Sequence, residues 1–194
     1  MPKSLAGATL FVLLAAACRH RDGSERNAGD IACPAAWREA PATDPGIRVP
    51  QGSEVIWHVT AHGTQDYVCA VADAGSVAYA WKFTGPDAAL TDCRGRAAGR
   101  HLASADGPTA PEWRSGHGAF VTAHKTSSWT PDPSAVPWLL LAVDHSDGEG
   151  PPATARFVQR TSTRGGIAPA EPCDARTVGE IERVPYDADY YFLR

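Results

Sequence analysis

The sequence predicts an all-β protein, an antiparallel sandwich or barrel of roughly eight to ten short strands with little helix. Three observations favour this fold class. Apolar residues alternate with polar ones along many short segments, so that one side of each extended segment can be buried. The 18 glycines and 16 prolines are scattered, which favours short strands joined by turns. Hydrophobic residues make up 43% of the chain, enough for a real core.

The first half of the chain carries three alternating segments, each predicted to be a strand with one buried side. The residues on those buried sides are Val55, Trp57 and Val59, then Tyr67, Cys69 and Val71, then Tyr79, Trp81 and Phe83. Turns are predicted after them at Gly85–Asp87 and Asp92–Gly95, because glycine, proline and aspartate dominate turns.

The second half predicts further strands and one short helix. The strands are Phe120–Thr126, Trp138–Val143, Ala153–Thr163 and Ala188–Leu193. Trp138–Val143 is apolar on both sides, which favours a central strand that is covered on both faces. Asp174–Glu182 favours a short helix, with Asp174 as its N-cap.

The N-terminal segment predicts export. Lys3 precedes the apolar run Leu5–Ala17, and these 13 residues of helix would be about 20 Å long, short of a hydrocarbon core of about 30 Å. A signal peptide over residues 1–17 is therefore favoured over a membrane-spanning helix. Small residues directly before Cys18 resemble the bacterial lipobox, which predicts lipidation of Cys18.

This reading gives a domain organisation and a location. Residues 18–32 are predicted to be the lipidated cysteine and a flexible tether, and residues 33–194 a single β domain. The acyl chains would anchor the protein in a lipid bilayer, at the outer membrane or the periplasmic face. The alternatives are ordinary signal cleavage, which would give a secreted protein, and a transmembrane anchor.

The net charge and the cysteine content indicate which partners and which cellular compartment to expect. The net charge is −4 and there is no basic stripe, which argues against nucleic acid as a partner. Four cysteines remain when Cys18 is set aside: Cys33, Cys69, Cys93 and Cys173. An even number in an oxidising compartment predicts two disulfides, with three possible connectivities. Metal coordination by thiolates is the weaker interpretation, because no spacing is that of a zinc site.

A family resemblance is carried by motifs in consistent order. They include Gly63–Cys69, Val136–Leu141, Gln159–Pro169, Cys173–Asp174 and Val184–Phe192. Over residues 54–193 the chain resembles the domain-of-unknown-function family 3455, whose members are exported bacterial and fungal proteins with no established activity. The resemblance implies an extracytoplasmic location. It also implies a disulfide between Cys69 and Cys173, which both lie on family motifs, and so leaves Cys33 to pair with Cys93.

Some fungal relatives of that family are labelled malate dehydrogenase. A dinucleotide site needs a glycine-rich turn between a strand and a helix. Residues 116–121 hold only two of the required glycines and lead into a predicted strand. No nicotinamide cofactor is therefore expected.

Clustered histidines define a candidate metal site. His101, His117 and Glu112 are the candidate ligands, for copper or zinc, because imidazole suits both metals. The alternative is that these histidines lie in loops, exposed or hydrogen-bonded. No catalytic residue is predicted.

Arg160 is a charged residue in a predicted strand. A buried arginine needs a partner, and a salt bridge to Asp187 or Asp189 is predicted for it, with the binding of an anionic ligand as the less favoured alternative. The two aspartates occupy alternate positions of the last strand, on a face that is predicted to be solvated.

The tryptophans complete the candidate set. Trp81 and Trp138 lie in apolar segments and are assigned to the core. Trp113 and Trp129 stand beside prolines in loop-like sequence and are candidates for stacking a ligand. The sequence thus predicts a binding or interaction module for a small molecule, a glycan or a protein. The alternative is a metal-dependent (Cu/Zn) enzyme or metal-binding protein.

Overall fold

A computed structural model describes Met1, residues 33–105 and residues 107–194, with the backbone alone at residues 108 and 109. The predicted signal peptide, Cys18 and the tether lie outside the described residues. The eight strands are β1 (Val55–Val71), β2 (Tyr79–Thr91), β3 (Ala97–Ser104), β4 (Gly107–Ser115), β5 (Phe120–Trp129), β6 (Trp138–Asp147), β7 (Phe157–Gly165) and β8 (Ile181–Leu193).

The strands form a closed antiparallel barrel. Each strand pairs with the next along the chain, and β8 pairs with β1. The all-β prediction is confirmed, and of its two alternatives the structure has the barrel. The described part of the chain holds no helix beyond two 3₁₀ turns, Ala35–Arg38 and Pro45–Ile47.

The up-and-down order gives the barrel two distinct ends. The β1–β2, β3–β4, β5–β6 and β7–β8 connections lie at one end, which we call the upper end, and the remaining turns lie at the lower end. The Asp92–Gly95 turn is confirmed at the lower end, where the Gly95 N–H donates to the Asp92 carbonyl at 2.8 Å.

The predicted Gly85–Asp87 turn is wrong, because these residues lie inside β2. Asp66 on β1 pairs with Gly85, and Tyr67 pairs with Phe83, so one residue of β2 is skipped at this point. Such a bulge bends a long strand without ending it. Gly85 has φ +134°, and a Cβ there would lie 2.4 Å from the Ala103 Cβ. Glycine here therefore allows a bend and a close approach to β3.

The predicted helix at Asp174–Glu182 is also wrong. The Asp174 carboxylate accepts from the Arg176 N–H at 2.8 Å, and the Thr177 N–H donates to the Asp174 carbonyl at 3.1 Å. The aspartate therefore closes a turn, and its side chain satisfies the backbone locally instead of starting a helix.

Interior side chains of the lower half make the core. The inward positions alternate along each strand, as a barrel requires. They include Val59 on β1, Leu90 on β2, Val121 on β5, Val158 on β7 and Phe192 on β8, all 0% exposed. Each such side chain contributes about 1.5–3 kcal/mol when it leaves water.

Residues 33–53, which we call the outer segment, cross the outside of the barrel. Trp37 stacks on His58 of β1 with ring centroids 3.7 Å apart, and the His58 Nδ1 lies 2.9 Å from the Trp37 carbonyl oxygen. Further along, the Gln159 side chain of β7 donates to the Ile47 carbonyl at 2.8 Å. The outer segment is therefore packed against at least two strands.

Two disulfides tie the barrel at opposite ends. Cys33 joins the outer segment to Cys93 in the β2–β3 turn at the lower end. Cys69 of β1 joins Cys173 in the β7–β8 connection at the upper end. The pairing that the family resemblance implies is therefore present. The two bonds are consistent with an extracellular protein.

Candidate functional site

A cavity of about 350 Å³ opens inside the upper half of the barrel. Its walls come from seven strands, β1 to β7, and from the β5–β6 connection. The described lining is mainly apolar: Tyr67, Phe83, Pro86, Pro111, Val136, Pro137, Leu139 and Leu141. Four polar side chains join it, namely Gln65, His101, Lys125 and Arg160.

The β5–β6 connection is fixed where it walls the cavity. The Val136 N–H donates to the Gly165 carbonyl at 2.9 Å, and the Thr163 hydroxyl donates to the Val136 carbonyl at 2.6 Å. Gly166 follows with φ +78°, and a Cβ there would lie 2.9 Å from the Gln65 and Tyr186 side chains. The glycine pair of the Gln159–Pro169 motif therefore lets the chain pack closely over the upper end.

Arg160 reaches the cavity from β7. Its Nε and Nη2 donate to the Pro137 carbonyl at 3.0 and 2.8 Å. Arg160 pairs with Tyr190 of β8, which faces the core, so its side chain lies inside the barrel. No carboxylate of the described residues lies within 4.0 Å of the guanidinium.

The predicted salt bridge from Arg160 to Asp187 or Asp189 is therefore wrong. Ala188 lies between the two aspartates and Tyr190 follows Asp189, and both of these residues face the core. The two aspartates therefore face outward. Asp187 lies 2.6 Å from His62 Nδ1, and Asp189 accepts from the Thr60 hydroxyl at 3.0 Å. The barrel wall separates these carboxylates from the guanidinium.

His101 of β3 is 2% exposed and lines the cavity. Its Nδ1 lies 2.9 Å from the Glu112 carbonyl oxygen, and its ring stacks on Trp113 at 4.5 Å with an interplanar angle of 4°. Burial lowers the pKa of His101 to about 3, and the Arg160 charge acts in the same direction, whereas the bond to the Glu112 carbonyl opposes the shift. The ring is therefore neutral at pH 7. Because a carbonyl oxygen only accepts, Nδ1 carries the proton and Nε2 is left as an acceptor.

Gln65 and Lys125 are the remaining polar side chains of the lining. Gln65 is 4% exposed, and its Nε2 makes no hydrogen bond within the described chain, although the Tyr186 hydroxyl lies near it. Lys125 is exposed and lies where the cavity meets solvent. Tyr67, by contrast, is already satisfied, since its hydroxyl donates to the Gly166 carbonyl at 2.7 Å. The cavity thus offers positive charge at Arg160 and Lys125.

The structure does not bring the candidate metal ligands together. His101 faces the interior with Trp113, whereas Glu112, one residue before Trp113, faces outward and pairs with Arg114 at 2.8 Å. His117 is exposed in the β4–β5 turn. Among the described residues no group of three His, Cys, Asp or Glu side chains is placed to hold a metal ion.

The candidate stacking tryptophans have different environments. Trp113 is 1% exposed and packs in the core against Tyr190 and Phe192, so its indole is not on the surface. Trp129 is half-buried and makes an edge contact with Trp138, with centroids 5.4 Å apart. Trp81 and Trp138, both assigned to the core from sequence, are also only half-buried.

The cavity residues were not predicted as a site. Gln65, Tyr67, Val136, Leu139 and Arg160 all lie on motifs that carry the family resemblance. Nothing in those motifs says that the side chains converge, since convergence depends on which face of each strand turns inward. The signal that the sequence offered was the position of Gln65 and Arg160 on these motifs.

The fold and the cavity together define the structural class of this protein, which is a closed eight-stranded β-barrel with a small internal cavity. A family model described as "Protein of unknown function (DUF3455)" matches residues 50–194, and the chain belongs to this family. No curated protein and no solved structure matches the chain. Among the described residues no helix is both long and apolar enough to cross a membrane.

Proposed function

We propose that this protein is an exported binding protein that holds a small, largely apolar molecule inside its barrel. The observation that carries the proposal is the cavity of about 350 Å³ with its mainly apolar lining. Small-molecule sites are concave, mostly apolar and about 300–1,000 Å³ in volume, with a few polar groups that fix orientation. Barrels of eight strands have room for one small ligand.

The chemistry of the lining favours binding over catalysis. General acid–base catalysis works best with a group whose pKa lies near the operating pH. His101 has a pKa of about 3 and is a weak base at neutral pH. Its Nδ1 is also engaged with the Glu112 carbonyl. The imidazole therefore serves as a fixed hydrogen-bond acceptor for a ligand.

A cavity-filling substitution tests the proposal. Leu139 lines the cavity and is half-buried, so Leu139→Trp places an indole in the space that a ligand would use. We expect the wild-type protein to bind the neutral dye N-phenyl-1-naphthylamine saturably at one site. Leu139→Trp should weaken that binding by about tenfold or more. Fluorescence titration of the dye measures both.

Val77→Trp is the matched control, because Val77 is 95% exposed in the β1–β2 connection. It adds the same indole and should leave the dye affinity unchanged. Absence of saturable binding to the wild-type protein, or equal affinities for wild type and Leu139→Trp, would refute the proposal.

We also propose that the barrel is held at a membrane through an acylated Cys18. The small residues that precede Cys18 and the two disulfides of the folded part support an exported, tethered protein. Cys18→Ser should move the expressed protein from the membrane pellet to the soluble fraction. Unchanged sedimentation with membranes would count against the tether and leave the cavity proposal standing.

A further inference from the structure

The charged side chains of the described cavity lining are all positive. Its described lining includes two cations, Arg160 and Lys125, and no aspartate or glutamate. Arg160 is only partly exposed, and its two hydrogen bonds go to one neutral carbonyl, that of Pro137. A carbonyl satisfies N–H groups but does not neutralise the charge. A partly buried cation without a counter-charge is costly, and an anion that enters the cavity offsets that cost.

We infer that the cavity selects a small organic acid, with an apolar body in the barrel and one anionic group held by Arg160 and Lys125. This inference rests on the proposed binding function and names the ligand class for the same cavity. The apolar body would lie against Phe83, Leu139 and Leu141. The anionic group would lie on the side of the guanidinium.

The geometry of Arg160 suits an anion. The contacts to Pro137 use Nε and Nη2, so Nη1 makes no hydrogen bond within the described chain. The same contacts hold the planar fork in one orientation, which reduces the entropy lost when a ligand binds. Charge-assisted hydrogen bonds from guanidinium to carboxylate are stronger than neutral ones. Arg160 therefore supplies a pre-oriented donor.

A matched pair of probes tests the ligand class. Octanoate and octanamide have the same apolar chain and differ in the charge of the head group. We expect calorimetric titration of the wild-type protein at pH 7 to show octanoate binding about tenfold tighter than octanamide. Arg160→Met should remove this preference, with octanamide affinity unchanged. Lys125→Met should weaken octanoate binding by about twofold to threefold, since an exposed charge contributes less to affinity than a buried one.

Arg164→Met is the control, because Arg164 lies on the same strand, is exposed and pairs with the outward-facing Asp187. It removes the same charge and should change neither affinity. Octanamide binding also shows whether the Arg160→Met variant is folded. If that variant does not fold, the comparison of octanoate with octanamide on the wild-type protein still tests the inference. Equal affinities of the wild type for the two probes would overturn the inference and leave the proposed function intact. Failure of octanoate, octanamide and the neutral dye alike would overturn both.

Discussion

His101 is a polar side chain held where neighbouring rings leave it almost no contact with water. Trp113 covers one face of the imidazole, and the Tyr190 ring approaches it at 5.0 Å. The hydrogen bond to the Glu112 carbonyl fixes the tautomer. A charged ring would lie in this apolar setting beside the Arg160 guanidinium. The site therefore keeps the histidine neutral.

A pH effect on stability follows from this burial. The pKa of His101 is about 3 in the folded protein, against 6.5 in an unfolded chain. As the pH falls below 6.5 the unfolded chain binds a proton that the folded protein does not, so folding loses stability. Between pH 7 and pH 5 this residue should cost about 2 kcal/mol. His101→Asn, which keeps a donor for the Glu112 carbonyl, should lose that part of the pH dependence.

Urea unfolding with intact disulfides at pH 7 and pH 5 measures the effect. The decisive quantity is the difference in pH dependence between wild type and variant, because all other titrating groups cancel in it. His117→Asn makes the same change at an exposed position and should behave as the wild type. Parallel pH dependences for wild type and His101→Asn would show that the folded histidine takes up protons near its ordinary pKa.

At the scale of elements, strand identity was predictable where large apolar residues alternate. β1, β2, β5, β6, β7 and β8 all contain segments predicted as strands. β3 and β4 were missed. Ala97–Ser104 is rich in small residues, and Gly107–Ser115 contains two prolines, so neither shows the pattern of a half-buried strand. Their strand structure depends on pairing with neighbours rather than on local preference.

The outer segment, whose regular structure consists of two 3₁₀ turns, is joined to the barrel by a disulfide. Cys33→Ala combined with Cys93→Ala releases its N-terminal end from the β2–β3 turn. The bond spans 60 residues, and removal of such a link costs about 4 kcal/mol in the loop-entropy account. Because the bond lies at the lower end, we expect the free energy of unfolding to fall while dye affinity changes less than about twofold.

The other disulfide is the natural comparison. Cys69→Ala combined with Cys173→Ala frees the β7–β8 connection at the upper end, where Gly179 and Glu180 also bond to the Cys69 backbone. This variant should lose both stability and dye affinity. Urea unfolding and dye titration of the two variants separate the effects. A large loss of affinity in the Cys33/Cys93 variant would contradict this division between the two ends.

At the scale of the whole molecule, the cavity could not be predicted because it depends on strand parity and closure. The predicted salt bridge from Arg160 to Asp187 or Asp189 requires these residues to lie on the same side of the sheet, whereas the register places the arginine and the aspartates on opposite sides. A shift of one residue in pairing exchanges the inward and outward faces of a strand. The alternation of apolar and polar residues predicts that a strand has a buried face and an exposed face. It does not show which charged residue faces inward when a strand carries polar residues on both faces.

Closure of β8 onto β1 has a consequence for how this protein meets other macromolecules. Every strand of the barrel pairs with two neighbours, although β2 pairs with β3 only over residues 87–91 and β4 pairs with β5 only over residues 112–114. Recognition of a peptide or a second copy as an additional strand is therefore restricted to the stretches beyond these pairings. Elsewhere along the barrel a protein partner must be recognised through side chains and connecting loops.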